Sequence, residues 1–146
     1  MLRDLLNKDT IELSVVAENW KEAIARGGEL LIRKGLIKKS YIDEMIDSIN
    51  QLGPYIVVMP GVAFAHAKPS ASVLCNGLSL VRFETPVKFG NVKNDPVSVM
   101  FTIAAIDEKK HMDELQSLAM LLMQDENIDK LMNSSKEEII QLIEGY

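Results

Sequence analysis

The chain has 146 residues, 47% of them hydrophobic and 25% charged, the mix of an ordinary globular protein, which excludes extended disorder and a coiled coil. Its length suits one hydrophobic core rather than two, so a single domain over residues 1–146 is expected. A formal charge of −5 with scattered Lys and Arg argues against a nucleic-acid partner, because a phosphate backbone is held by clustered cations.

Near the amino terminus, Met1 to Asp9 is polar every few residues and lacks the apolar stretch of an export signal. The longest apolar run, Pro96 to Ile106, falls short of the roughly 20 residues that cross a bilayer. A cytoplasmic protein without membrane insertion is therefore expected. The single cysteine, Cys75, excludes an internal disulfide and a cysteine-based metal cluster; it is expected to be buried as a small hydrophobe.

Between Ser14 and Gly35 the residues Val15, Val16, Trp20, Ile24, Leu30, Leu31 and Ile32 recur at mostly helical spacing. They predict one helix, with Gly27-Gly28 a place for it to bend. Ser40 followed by Asp43 looks like a cap for a second helix, carried by Tyr41, Met45, Ile46 and Ile49 and ending near Gly53-Pro54. The pattern then changes to runs rich in β-branched residues at 55–59, 78–83 and 97–103, bounded by Gly, Pro or Asn, which predict strands. The third is apolar at nearly every position, as befits a central strand covered on both faces. Asp107 is suited to cap a helix that begins close to His111 and runs through Leu115, Leu118, Ala119 and Leu122. Asp125 and Ser135 start two more, the latter through the capping box Ser135-Lys136-Glu137-Glu138. The fold class expected is α/β, helices packed on a sheet.

The chain has two histidines. His66 falls in a segment bracketed by Pro60-Gly61 and Pro69, which predicts a shaped loop. Its flanking Ala65 and Ala67 are small, and Lys68 would ease the approach of an anion. An imidazole with a pKa near about 6.5 keeps a free ring lone pair at cellular pH and needs no separate strong base, so His66 is a candidate nucleophile. A lone loop histidine is more often a surface or structural residue. His111, at the first turn of a helix whose N-terminus favours an anion, makes a second reading available: two histidines sharing one phosphoryl group, His66 the acceptor and His111 donating a ring N–H to a phosphoryl oxygen. Spacing alone also leaves His111 open as a helix-face residue packing near Leu115. Two histidines and one cysteine fall short of a catalytic zinc site, and neither a Gly-x-Ser-x-Gly elbow nor a Gly-rich phosphate loop occurs. The carboxylates Asp107, Glu108, Asp113 and Glu114 read as a solvated helix start without chemistry.

The segment from Gly53 to Pro69, Gly-Pro-Tyr-Ile-Val-Val-Met-Pro-Gly-Val-Ala-Phe-Ala-His-Ala-Lys-Pro, strongly resembles the active-site stretch of the mannitol/fructose-type enzyme IIA family of the bacterial phosphoenolpyruvate-dependent sugar phosphotransferase system. The similarity continues through Gly77-Leu78-Ser79-Leu80, Pro86 to Gly90, Asn94 to Val97, Ile103 to Asp107, His111 and Leu115. Its Gly-Pro-Tyr-Ile-Val opening and Ala-His-Ala-Lys-Pro ending look most like the ascorbate-specific branch. The resemblance implies a mixed β-sheet flanked by helices, the mannitol-type enzyme IIA fold. It implies a phosphohistidine at His66, charged by the phosphocarrier HPr and discharged to a cysteine of a cognate enzyme IIB, with the membrane enzyme IIC transporting ascorbate or a related sugar acid. His111 would steady the phosphoryl group, and no metal or other cofactor is called for. Ser48 stands where mannitol-type members carry an arginine, and Phe64 and Ala65 where many relatives have a smaller aliphatic residue and a proline. A regulatory module of the same fold, whose phosphorylation state at His66 is read by a sensor or transcription regulator, is the alternative.

Overall fold

The most apolar run of the sequence forms the middle of the molecule. A computed structural model describes residues 2–146; Met1, where the expected domain starts, lies outside the described residues. The elements in order are α1 (Leu2–Leu5), β1 (Ile11–Val15), α2 (Trp20–Arg33), α3 (Lys39–Leu52), β2 (Val57–Met59), β3 (Val62–Ala65), β4 (Gly77–Val87), β5 (Val97–Ala104), α4 (Glu108–Leu122), α5 (Asp125–Asn133) and α6 (Lys136–Ile143). The five strands make one sheet in the order β1-β4-β5-β3-β2. β1 runs parallel to β4, β4 antiparallel to β5, β5 parallel to β3, and β3 antiparallel to β2. The sheet is thus mixed, as expected, with β5 third of five.

Side chains alternate across each strand, so the sheet has two apolar faces to cover. On one, Ala63, Ala65, Val81, Met100 and Ala104 pack with Ile24 and Leu31 of α2 and Met45 and Ile49 of α3. On the other, Val62, Phe64, Leu80, Phe101 and Ile103 pack with Leu118 and Leu121 of α4, Leu131 of α5 and Ile139 of α6. Each large side chain fully withdrawn from water stabilises the fold by about 1.5–3 kcal/mol, which is why a small sheet can dictate where six short helices lie. No helix among the described residues is long and apolar enough to cross a membrane.

Two expected segments change character. Residues 14–19 are not helical: Val15 ends β1, Val16 is exposed, and α2 starts at Trp20, where the Asn19 side chain accepts from the Glu22 amide at 2.9 Å. The Gly27-Gly28 pair does not break α2; it lets neighbours approach. A Cβ on Gly27 would stand 2.3 Å from Thr102 Oγ1, and one on Gly28 2.6 Å from Ile42 Cγ1. The Gly27 carbonyl in turn accepts from Ser79 Oγ at 2.8 Å, bonding α2 to β4.

The segment expected as a loop before His66 is β3, the inner partner of β5 and of the β2 hairpin strand. Pro60-Gly61 makes the hairpin turn, Gly61 supplying a φ of +79°, as a proline–glycine turn requires. Ser40 is not the cap of α3: the N-cap is Lys38, without a side-chain bond, and the Ser40 hydroxyl instead meets that of Ser72 at 2.6 Å. β2 is shorter than expected, leaving Tyr55 outside it. Cys75 is exposed, contrary to expectation, because it comes after the Ile37–Val73 bridge on the loop leading into β4. The carboxyl-terminal helices are as expected, with both halves of the Ser135–Glu138 capping box formed. Arg82 adds a tie from the sheet, its Nη1 donating to the carbonyls of Leu131 (3.0 Å) and Ser134 (2.8 Å) at the end of α5.

Candidate active site

β3 and β5 are parallel neighbours, so the segments leaving their carboxyl ends emerge at the same edge of the sheet. His66 comes directly after the last residue of β3, and the chain leaving β5 passes through Asp107 into α4, which carries His111. Ligand sites of open α/β sheets gather beyond the carboxyl ends of parallel strands for this reason. Period-two alternation gives His66 the parity of Phe64, whose side chain packs on the α4 face, and the two imidazoles meet with ring centroids 5.2 Å apart and planes inclined at 45°. The structure therefore brings together the two histidines that spacing left 45 positions apart.

The backbone around His66 is held by a buried phenol. The Tyr41 hydroxyl, from α3, donates to the Ile103 carbonyl at 2.7 Å and accepts from the Ala67 amide at 3.0 Å, joining the end of β5 to the residue after His66. The Ala67 carbonyl lies 3.2 Å from the same oxygen. Burial pushes the Tyr41 phenol above its usual range, so it stays protonated and remains a donor. One helical turn on, Glu44 fixes the rest of the loop, accepting from Ser70 Oγ at 2.6 Å and from Ser72 Oγ. Since Ser72 gives its proton to that carboxylate, Ser40 must be the donor in the Ser40–Ser72 contact.

His66 Nδ1 lies 2.7 Å from the Phe64 carbonyl. A carbonyl only accepts, so Nδ1 carries the hydrogen and the Nε2 lone pair is free. Burial, the largest effect, holds the imidazole below its usual pKa; the bond to Phe64 opposes this and His111 adds to it. The ring is thus mainly neutral at pH 7 with Nε2 unprotonated. Tyr55 packs against it edge-on, centroids 5.5 Å apart at 87°.

The histidines open on a pocket of about 620 Å³ walled by Glu44, Asp47, Ser48 and Gln51 of α3 on one side, and by Glu108 and His111 of α4 on the other. Lys68 lines it from the loop and is exposed. Ser48, where the resemblance would place an arginine, faces this same space. α4 begins three residues ahead of His111; Asp107 caps it, accepting from the Lys110 amide at 2.8 Å, and the His111 amide is bonded to the Asp107 carbonyl at 3.0 Å. His111 therefore offers the pocket its ring and not its backbone.

Tyr41, Glu44 and Tyr55 were not singled out by sequence reasoning. Tyr41 has the spacing of a core residue, Glu44 that of a solvated one, and only the folded loop reveals their partners. Glu114 departs from the expected solvated helix start: it is 5% exposed, with both carboxylate oxygens buried and unpartnered. Burial pushes its carboxyl up to about 8, Asp113 raising and Lys110 lowering it.

The protein family described as the phosphoenolpyruvate-dependent sugar phosphotransferase system, EIIA 2, matches residues 4–146. The ascorbate-specific phosphotransferase EIIA component of Escherichia coli K12 is 34% identical over 146 residues, covering 98% of this chain and 95% of that one. The solution structure of the mannitol-specific cryptic phosphotransferase enzyme IIA of Escherichia coli superposes with a TM-score of 0.89 at 31% identity, covering 99% of each chain. A complex of mannitol enzyme IIA with phosphorylated mannitol enzyme IIB from Escherichia coli matches with a TM-score of 0.85 at 25% identity, over 97% of this chain and 98% of that one. With a mixed sheet of the mannitol enzyme IIA type and a family match over nearly its whole length, the chain belongs to the EIIA 2 family of the phosphoenolpyruvate-dependent sugar phosphotransferase system.

Proposed function

We propose that this protein is a cytoplasmic phosphoryl carrier, a single domain over residues 1–146, serving uptake of ascorbate or a related sugar acid. The Nε2 lone pair of His66 attacks the phosphorus of phospho-HPr; the Nε2–P bond forms as the bond to the donor side chain breaks, the donor atom keeping the electron pair. In the second step a cysteine thiolate of the cognate enzyme IIB attacks the same phosphorus. The S–P bond forms, the Nε2–P bond breaks, and its electron pair returns to the imidazole. Membrane-bound enzyme IIC would then use the phosphorylated IIB for transport.

The observation that carries this reading is the orientation of His66. Its Nδ1–H is tied to the Phe64 carbonyl, which leaves Nε2 as the nucleophile and lets the carbonyl stabilise positive charge as the ring takes up phosphorus. The ring beside it, His111, donates an N–H to a phosphoryl oxygen. Lys68 on the pocket wall adds a cation that the incoming anion meets in solvent. Positioning and charge stabilisation are the whole of the catalysis required. The ascorbate assignment is supported by the 34% identical relative, and the IIB partner by the solved complex of a mannitol enzyme IIA.

Reconstitution with purified enzyme I, HPr, phosphoenolpyruvate and candidate IIB proteins tests the proposal. Label is expected on His66, mapped by mass spectrometry, and then on a cysteine of an ascorbate-type IIB. A chain that is labelled, is not drained by any IIB, and binds a regulator in only one phosphorylation state would show a regulatory module instead. A chain that takes no label from phospho-HPr would refute the carrier reading outright.

A further inference from the structure

Phosphoryl transfer as proposed uses two histidines, a carbonyl and a lysine, yet a half-exposed tyrosine also stands against the nucleophile. Tyr55 is 41% exposed, unlike the buried aromatic residues that pack the sheet, and its ring meets His66 nearly at right angles, 5.5 Å between centroids.

The backbone that carries it is fixed from several sides. Gly53, with φ +83°, ends α3, and its carbonyl accepts from the Tyr55 amide at 2.9 Å. The Asn91 side chain donates to the Pro54 carbonyl at 3.2 Å, and the Asn94 side chain donates to the Val57 carbonyl at 3.0 Å. The Phe64 amide bonds back to the Ile56 carbonyl at 2.8 Å. These bonds fix the backbone from which the Tyr55 ring reaches His66.

His66 needs such a neighbour. Its bond to the Phe64 carbonyl fixes Nδ1 at one point, but the terminal torsion of an imidazole is soft and roughly two-fold, so a single bond does not hold the plane of the ring. The His111 and Tyr55 rings both pack against it, at centroid distances of 5.2 and 5.5 Å. A nucleophilic lone pair tilted off the line of attack loses rate steeply, and an aromatic ring in contact with the imidazole also keeps water from part of it.

Resting on the assignment of His66 as phosphoryl acceptor, we propose that Tyr55 is a positioning residue for transfer: its ring holds the His66 imidazole in the plane that presents Nε2 to the incoming phosphorus. The ring, and not the phenolic hydroxyl, carries this role.

The test compares full-length parent, Tyr55→Phe and Tyr55→Ala in two measurements: single-turnover phosphoryl transfer from phospho-HPr over a range of donor concentrations, and NMR titration of the unphosphorylated His66 imidazole. In Tyr55→Ala the maximal transfer rate is expected to fall by about 10-fold or more, with the half-saturating donor concentration within about 2-fold of the parent. The His66 titration should move up toward the ordinary histidine value as water reaches the ring. Tyr55→Phe should match the parent in both. The proposal is overturned if Tyr55→Ala changes neither measurement, if it changes only the half-saturating concentration, which would make Tyr55 a docking residue, or if Tyr55→Phe is as impaired as Tyr55→Ala. A parent that takes no label at His66 sinks the carrier reading together with this one; a labelled parent with an indifferent Tyr55→Ala sinks this one alone.

Discussion

His66 and His111 occupy unequal places in the pocket, and their substitutions should separate accordingly. His66→Ala removes the only atom proposed to bond phosphorus, so labelling by phospho-HPr should vanish. His111→Ala leaves that atom and removes one donor; labelling should persist but slow by roughly 10²–10³-fold, the usual cost of one lost stabilising hydrogen bond. Rapid-quench labelling of the two variants checks both, and unchanged kinetics in His111→Ala would contradict the role given to it. Glu114 makes a separate prediction, about stability. Burial in the folded chain pushes its carboxyl from an ordinary 4.5 up to about 8. Between those values the native state holds a proton that the unfolded state has released, so stability falls as pH rises from about 4.5 to about 8 and then levels off. Glu114→Gln should remove that slope and gain on the order of 4 kcal/mol over the parent at pH 8, with little difference near pH 4.5; denaturant unfolding at the two pH values measures it. Glu114 lies four and seven residues before Leu118 and Leu121, so helical periodicity already puts it on the buried face of α4; its charge hid the pattern. Tyr41 was hidden the other way, because apolar spacing explains its ring and says nothing of where its hydroxyl ends up.

Elements were legible where their signal was local. The capping box at Ser135, the cap at Asp107 and the largely apolar run of β5 depend on neighbours in sequence, and each appears in the fold as the residues imply. β1 and β3 were not. β1 is five residues long, and its Val15, adjoining Val16, runs straight into the period of α2, so the two merged into one apparent helix. β3 consists of Val62-Ala63-Phe64-Ala65, whose alanines favour no strand; pairing with β5 and burial impose its conformation. The glycines of α2 show a related ambiguity, since a Gly pair in a helical pattern signals either a bend or a close approach. Gly27→Ala decides the matter energetically. Its Cβ would meet Thr102 Oγ1 at 2.3 Å and Met100 Cε at 2.7 Å, so α2 or those core side chains must shift, and overpacking of about 1–3 kcal/mol should exceed the gain of up to about 1 kcal/mol from better helix propensity. Gly28→Ala meets the Cγ1–Cδ1 arm of Ile42 at 2.6 and 2.9 Å, on α3 and not on the sheet, and should cost less because a helix–helix contact yields more readily than the centre of the sheet. Urea midpoints at unchanged m-value give the order.

At the scale of the molecule, residue spacing offered the meeting of the two histidines as one of two open readings and the family resemblance implied it; what brings them together is strand order. The resemblance to a known family supplied the fold, and the sheet explains why the site results from it: β3 and β5 lie side by side and point the same way, although β4 intervenes between them in the chain. Parallel neighbours of this kind close only after a long excursion of backbone, and such non-local pairings are slow to form. A nascent or half-melted chain in which β5 has not yet docked has two imidazoles and no enclosure around them. The enclosed two-histidine pocket therefore exists only once β5 has docked beside β3, and if His66 carries the phosphoryl group as proposed, its rate of labelling doubles as a report that the centre of the sheet has zipped shut.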